Sequence, residues 1–399
     1  MIEITREIDG APDFELGRPR TRPIQVDIAW PREGEAAGLV LVIAGFGDDT
    51  AAGYSQALRR HIVETTGMGA VSVRYHAFHA RPNNGAGVVI DPKAQAYLVG
   101  EAALHGVPMV EGTDLRALAR GLVAAGANVT ARVTIEPAHD EHQNFGVIQA
   151  LDHLCVIGDL IENAPAFDTR RIVVLGSSHG GYIGHLMAKF APSTLAAIID
   201  NSSYVQPPMC YLGIGDLPEM VIDMEGLKFL GQVRSAWTVG DRGAANFYDR
   251  DRDLIRDVGY LPHASAMRAA AADAGAQYFM VNASADSVSR PDAKRRQQAV
   301  LKRAGFESEL TIVTPQDIDG ELFKAHTHGL GCSLKRLFDR YIGRVRPRMT
   351  DPDSVLGSTV AYECVDRGYR FQHSAQAPYV QAEVYDRFAD QLEEQAVAA

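Results

Sequence analysis

Short runs of β-branched and other apolar residues alternate along the chain with longer stretches whose apolar positions recur at helical spacing. The continuous apolar run Leu39–Ala44 (LVLVIA) predicts a strand buried on both faces, as do Arg171–Leu175 (RIVVL) and Leu195–Asp200 (LAAIID). Gln277–Asn282 and Glu309–Val313 extend the series, and Ile2–Ile8, Pro23–Trp30 and Gly69–Tyr75 read as further strands. Helical patterns lie between them at Ala51–Thr65, Asp114–Ala125, Gln143–Asn163, Tyr182–Phe190, Ser265–Ala274, Asp292–Ala304 and Ser333–Tyr341. In the longest, Phe145, Ile148, Leu151, Leu154, Cys155 and Ile161 share one face. Strand–helix alternation of this kind predicts an α/β domain, a mostly parallel central sheet flanked by helices.

Two segments interrupt the alternation. Residues 76–142 open on a loop containing Pro82, Asn83, Asn84, Gly85 and Gly87, and residues 201–262 hold Pro207, Pro208, Trp237 and scattered Asp and Arg. Both read as insertions into a domain spanning 1–345, the second as a cap. Residues 346–399 read as a C-terminal extension with a helical end near Val380–Gln395. The chain contains no internal repeat and no low-complexity tract.

Of the 399 residues, 46% are hydrophobic and 22% charged, enough apolar material for a large core. The net charge of −11 repels phosphate backbones and anionic lipid surfaces, so nucleic acid and membrane are not expected partners. Cys155, Cys210, Cys332 and Cys364 match neither a disulfide framework nor a metal knuckle and are expected as reduced thiols. Met1–Gly17 carries Glu3, Glu7, Asp9 and Asp13 and lacks the apolar core of a signal peptide, and no apolar run approaches the roughly 20 residues that span a bilayer. A cytoplasmic location is therefore expected.

The strongest chemical signal is Gly176-Ser177-Ser178-His179-Gly180, a Gly-x-Ser-x-Gly motif between a predicted strand and a predicted helix. A sharp strand-to-helix turn there lifts the Ser178 hydroxyl above the sheet. The glycines are required where side chains would strike the neighbouring strand and helix, and the helix N-terminus offers a positive dipole end to a developing oxyanion. Ser177 is the other hydroxyl in the motif, at the wrong position. A Gly/Ser-rich turn of this kind also binds phosphate, which is the alternative reading.

Asp168-Thr169-Arg170-Arg171-Ile172 together with Gly176-Ser-Ser-His-Gly-Gly-Tyr182 resembles the nucleophile region of α/β-hydrolases, closest to the prolyl-oligopeptidase-like, acyl-peptidase-like and esterase branch. The likeness extends more loosely over residues 39–342, and the chain is also similar to bacterial hydrolases without an assigned substrate. The resemblance implies an α/β-hydrolase fold with a cap insertion and a triad in the chain order serine, acid, histidine. Asp286, in the loop after Gln277–Asn282, then takes the place of the acid, with Asp200 as alternative. His328, in His326-Thr327-His328-Gly329, takes the place of the base, with His326 as alternative. Two backbone N–H groups would form the oxyanion hole, those of His179 and Phe46. The second lies in Ala44-Gly45-Phe46-Gly47, where the family commonly carries His-Gly-x-Gly; Ala44 replaces that histidine.

His76-x-x-His79 and His139-Asp140-Glu141-His142 are rich in donors but match no known ligand spacing, so no metal is expected. With no Gly-x-Gly-x-x-Gly after a strand and no Walker-type Gly-Lys-Ser/Thr, no cofactor is expected either. Tyr204, Trp237 and His76 are candidate substrate-binding residues, and Met209, Tyr211 and Met220 could help shape an acyl or sugar pocket. The same side chains could equally form the cap's own core. The expected activity is that of a serine hydrolase of carboxylesterase or deacylase type acting on a small acyl ester. An ester is preferred to a peptide bond because no β-propeller or other large gating domain is apparent. An acyltransferase on the same scaffold and a non-catalytic binding protein of the same fold are the rivals. A second copy of the chain is compatible as a partner.

Overall fold

The computed structural model describes residues 1–108, 114–349, 359–374 and 379–388. From the N-terminus the chain forms β1 (Ile2–Ile8), β2 (Ile24–Trp30), β3 (Leu39–Ile43), α1 (Gly53–Thr66) and β4 (Gly69–Arg74). Next come β5 (Gly87–Val89), α2 (Pro92–Leu104), α3 (Leu115–Ala124), β6 (Thr130–Glu136) and α4 (Val147–Asn163). The middle holds β7 (Ile172–Ser177), α5 (His179–Phe190), β8 (Ala197–Asn201), β9 (Met220–Met224), β10 (Leu227–Val233) and α6 (Arg250–Arg256). It continues with α7 (Leu261–Ala270), β11 (Gln277–Ala283), α8 (Pro291–Ala304), β12 (Ser308–Val313) and α9 (Leu334–Ile342), and ends in β13 (Thr359–Glu363), β14 (Arg367–His373) and β15 (Val380–Asp386). Two compact units result: Met1–His76 with Gly146–Pro207 and Tyr248–Ala399, and Ala77–Phe145 with Pro208–Phe247.

The first unit is built on an eight-stranded sheet in the order β1-β2-β4-β3-β7-β8-β11-β12. Within it β2 runs antiparallel to both neighbours, and every pair from β4 to β12 is parallel. The central strands are apolar at successive positions because helices cover both of their faces, which leaves no polar side to alternate with. Val40, Val42, Val173, Leu175, Ile199, Phe279 and Val281 are buried together with Leu58, Ile62 and Val63 of α1 and Leu337 and Phe338 of α9. A parallel sheet of this order, with Gly-x-Ser-x-Gly turning from β7 into α5, is the α/β-hydrolase fold.

Some boundaries differ from the sequence expectation for local reasons. The longest helix begins at Val147, not Gln143, because Phe145 and Gly146 adopt positive φ (49° and 115°) and break the pattern. α7 spans Leu261–Ala270, with Pro262 in its first turn where a missing N–H costs nothing, in place of the expected Ser265–Ala274.

The two irregular segments combine rather than standing apart. Residues 77–145 and 208–247 form the second unit, whose sheet runs β5-β6-β10-β9 with β6 and β10 parallel. Its core joins Leu98 and Ala102 of α2, Leu118 and Leu122 of α3, Val133 of β6 and Phe229 of β10. Residues 248–262, α6 among them, belong to the first unit.

The chain's end also departs from expectation. Val380–Asp386 is a strand, not the start of a helix, and completes the antiparallel sheet β13-β14-β15. Val380 and Val384 sit opposite His373 and Tyr369 of β14, so the alternation in VQAEVYD answers to a sheet face. The remainder of that expected helix, from residue 389, lies outside the described residues. Among the described residues no helix is long and apolar enough to cross a membrane.

Candidate active site

β7 ends at Ser177 and α5 begins at His179, so Ser178 alone makes the turn between them. It does so at φ 53° and ψ −115°, a conformation costing on the order of 1–3 kcal/mol for a residue with a side chain. Two backbone bonds hold it there. The Ser178 N–H donates to the Asn201 carbonyl at 2.7 Å, and the Tyr182 N–H donates to the Ser178 carbonyl at 3.1 Å. The motif glycines are sites of direct backbone contact. A Cβ on Gly180 would lie 2.0 Å from the Ile43 carbonyl oxygen, and one on Gly176 would lie 2.5 Å from the Gly180 carbonyl carbon. The neighbouring hydroxyl, Ser177 Oγ, accepts from Asn201 Nδ2 at 3.0 Å.

His328 Nε2 lies 2.8 Å from Ser178 Oγ. On the other side of the ring, Nδ1 lies 2.9 Å from Asp286 Oδ2 and 3.1 Å from Oδ1. Asp286 sits just past β11, and its Oδ1 accepts the N–H groups of Val288 at 2.9 Å and Ser289 at 2.7 Å. Its side chain is 0% exposed, whereas the imidazole keeps 27% of its surface. An ionised carboxylate only accepts, so Nδ1 carries the ring proton and Nε2 is left to accept from the Ser178 hydroxyl.

Of the two alternatives, His326 is held through its backbone and Asp200 is engaged elsewhere through its carboxylate. The His326 carbonyl accepts the Ala285 N–H at 3.1 Å, tying the histidine loop to the Asp286 loop. Asp200 is buried and accepts from Lys294 Nζ at 2.8 Å, His185 Nε2 at 3.0 Å, and the N–H and hydroxyl of Ser203 at 3.0 and 2.7 Å. Burial works against its charge, yet Lys294 and His185 hold the carboxyl below the usual carboxylate range.

The turn after β3 lies against Ser178. Gly45 N–H donates to Asp48 Oδ2 at 3.0 Å, and a Cβ on Gly45 would come 3.8 Å from Ser178 Cβ. Phe46 follows, its ring edge-on to the buried His179 ring at 5.5 Å between centroids. The residues expected to supply the two oxyanion N–H groups are thus in ring contact, His179 directly following Ser178.

Tyr204, read from the sequence only as a pocket residue, places its hydroxyl 3.0 Å from Ser178 Oγ. His76 is buried beyond β4, its N–H donating to Asp152 Oδ2 at 2.7 Å. Trp237 belongs to the second unit, edge-on to His142 at 6.3 Å. Tyr211 there packs against Phe145 at 5.0 Å, and the Arg81 guanidinium lies 5.6 Å from its ring centre. The His79 and His139 rings meet at 5.8 Å, and among the described residues no group of three or more His, Cys, Asp or Glu is arranged to hold a metal ion. The sequence reading missed Asn201 and the Tyr204 hydroxyl, which belong to no motif.

Solved structures similar to this chain include a puromycin-hydrolyzing peptidase of Mycobacterium tuberculosis, with 16% identity and a TM-score of 0.46 over 86% of this chain and 40% of that one. Another is an acylaminoacyl peptidase of Pyrococcus horikoshii, with 13% identity and a TM-score of 0.47 over 89% of this chain and 44% of that one. A third is Est1E from Butyrivibrio proteoclasticus with ferulic acid bound, with 13% identity and a TM-score of 0.44 over 81% of this chain and 95% of that one. The chain spans less than half the length of either peptidase. A sequence search of curated proteins returns no match. Residues 4–378 match the family described as "Protein of unknown function (DUF2920)", and the chain belongs to that family.

Proposed function

We propose that this protein is a serine hydrolase that cleaves an acyl ester through Ser178, His328 and Asp286. One observation carries the reading: an unbroken hydrogen-bond chain from the Ser178 hydroxyl through the His328 ring to a buried carboxylate. His328 Nε2 takes the hydroxyl proton as Ser178 Oγ attacks the carbonyl carbon. Asp286 holds the ring in the required tautomer and offsets the charge of the imidazolium. The N–H groups of Phe46 and His179 receive the oxyanion, a contribution on the order of 10²–10³ in rate per donor in comparable sites. The imidazolium then protonates the departing alkoxide, and water repeats the sequence on the acyl-enzyme. Esters are the first substrates to test, because an alkoxide leaves more readily than an amine.

The test is covalent labelling with a fluorophosphonate probe, alongside a panel of p-nitrophenyl esters of increasing acyl length. The wild type is expected to label and turn over; Ser178→Ala is expected to do neither. His328→Ala should lose turnover by several orders of magnitude and Asp286→Asn by somewhat less. A wild-type protein that does not label at any of several pH values would remove the reading.

A further inference from the structure

The triad leaves one partner of the nucleophile unexplained. Tyr204 Oη sits 3.0 Å from Ser178 Oγ, and the tyrosine ring runs nearly parallel to the His328 ring, 8° between planes and 6.2 Å between centroids. The side chain is buried, with 3% exposure.

Counting protons gives the direction of that bond. Nδ1–H of His328 donates to Asp286, so the bare Nε2 takes the single hydroxyl proton of Ser178. Ser178 Oγ then has only lone pairs left to offer. The Tyr204 hydroxyl is therefore the donor.

The backbone that carries Tyr204 is fixed from several sides. Ser202 adopts φ 59°, and its N–H donates to the Val281 carbonyl at 2.9 Å. Ser203 gives both its N–H and its hydroxyl to Asp200, whose other oxygen contacts come from the buried Lys294 and His185. The Ser203 carbonyl accepts the Ser289 hydroxyl at 2.5 Å, and the Ser289 N–H is bonded to Asp286. A fully buried ion pair such as Lys294–Asp200 adds little net stability. Here it anchors a segment that ends at the nucleophile and is also linked to the triad's carboxylate.

We propose that Tyr204 is a catalytic residue whose hydrogen bond to Ser178 Oγ acts mainly in deacylation. The proposal rests on Ser178 being the nucleophile. In the acyl-enzyme, Oγ is the ester oxygen. A donor on it draws electron density from the acyl carbonyl and opens that carbon to water. Water adds as His328 Nε2 takes one of its protons. On collapse the C–Oγ bond breaks, its electron pair returns to Oγ, and His328 delivers the proton there. Tyr204 keeps its own proton throughout and stabilises the charge gathering on Oγ. In acylation the same bond lowers the proton affinity of Oγ and its nucleophilicity together, and the two effects largely cancel.

The experiment compares wild type with Tyr204→Phe using p-nitrophenyl acetate, intact-protein mass and the rate of fluorophosphonate labelling. The expected result is that kcat and KM fall together by about ten-fold or more with kcat/KM nearly unchanged, as the loss of a hydrogen bond to a charged group would give. An acetyl adduct should accumulate on the variant, and labelling should proceed at the wild-type rate. A fall in kcat/KM and labelling rate in step with kcat would overturn the proposal in favour of a structural role, and so would unchanged kinetics. If the wild type itself fails to label, the nucleophile reading falls, and this proposal falls with it.

Discussion

Asn201 Nδ2 donates to the Gly329 carbonyl at 3.2 Å, joining the end of β8 to the residue that follows His328. The same amide donates to Ser177 Oγ, and the Asn201 carbonyl accepts the Ser178 N–H. One buried side chain therefore ties the turn at Ser178 to the loop that carries His328. Asn201→Ala leaves the Ser177 hydroxyl and the Gly329 carbonyl to find other partners, at a cost of about 1–3 kcal/mol. The larger effect is expected in turnover, a loss of about ten- to a hundred-fold, because a shift of an ångström between Oγ and Nε2 disrupts proton transfer. Urea unfolding and p-nitrophenyl ester kinetics on the same preparation check this. Full activity in the alanine variant would show that the two loops hold their spacing without it.

Buried histidines with lowered pKa values make the fold less stable in acid, and His153 gives the sharpest test. It lies in α4 with its Nδ1–H donating to the Gln149 carbonyl at 2.7 Å, and Nε2 has no hydrogen-bond partner among the described residues. Burial pushes its pKa down from 6.5 to about 4. The unfolded chain takes up a proton as pH falls through 6.5, while the folded protein refuses it until about 4. Its stabilising contribution is thus present above 6.5 and is lost as pH falls between those values. From pH 7.5 to pH 5 the loss is about 2 kcal/mol. His185, His263 and His373 shift in the same direction, so His153→Gln should flatten the acid side of the stability profile without abolishing its slope. Chemical denaturation at the two pH values measures this, and equal slopes for wild type and variant would exonerate His153.

What could be read in advance was what is local. The Gly-x-Ser-x-Gly turn announces itself because the contacts that require its glycines, β7 to α5 and α5 to the Ile43 carbonyl, are set by the strand-to-helix turn itself. The buried parallel strands were legible as unbroken apolar runs. Asp286 and His328 were selected by chain order in a resembling family, since nothing near either residue encodes a meeting with a serine 150 positions before His328. Tyr204 and Asn201 carry no motif at all. The place of Tyr204 depends on the φ of Ser202 and on Lys294 reaching Asp200 across 94 residues. The second unit was hidden for a related reason. β6 and β10 lie far apart in sequence and become a sheet only when Thr130 meets Lys228.

Glu15 and Arg256 form a bidentate pair with both side chains 0% exposed, at 2.6 Å between Oε2 and Nη2 and 3.0 Å between Oε1 and Nη1. Burial alone would disfavour the Arg256 charge, but Glu15 beside it holds the guanidinium firmly protonated. Glu15→Gln strands that charge and is expected to cost about 3–5 kcal/mol. Glu15→Leu combined with Arg256→Met removes both charges, and the double variant is expected to be more stable than Glu15→Gln. A double-mutant cycle in urea over Glu15→Leu, Arg256→Met and their combination measures the coupling. Strictly additive single substitutions would mean that the pair does not act as a unit.

Gly180 tests whether β3 and α5 touch through their backbones. A Cβ there would stand 2.0 Å from the Ile43 carbonyl oxygen and 2.5 Å from its carbon, both main-chain atoms that no rotamer change can move aside. Gly180→Ala must push the first turn of α5 away from β3, and with it Ser178 and the His179 N–H. The expected loss is about 3 kcal/mol or more, together with most of the fluorophosphonate labelling. Gly100 is the control. It too is helical, in α2, but a Cβ there meets nothing within 4 Å. Gly100→Ala should stabilise the protein by about 0.5–1 kcal/mol through the lower backbone entropy of its unfolded chain and leave labelling unchanged. The two substitutions are chemically identical and differ only in what the methyl group meets. If Gly180→Ala unfolded at the wild-type urea concentration and labelled at the wild-type rate, the close approach of β3 to the turn at Ser178 would be wrong.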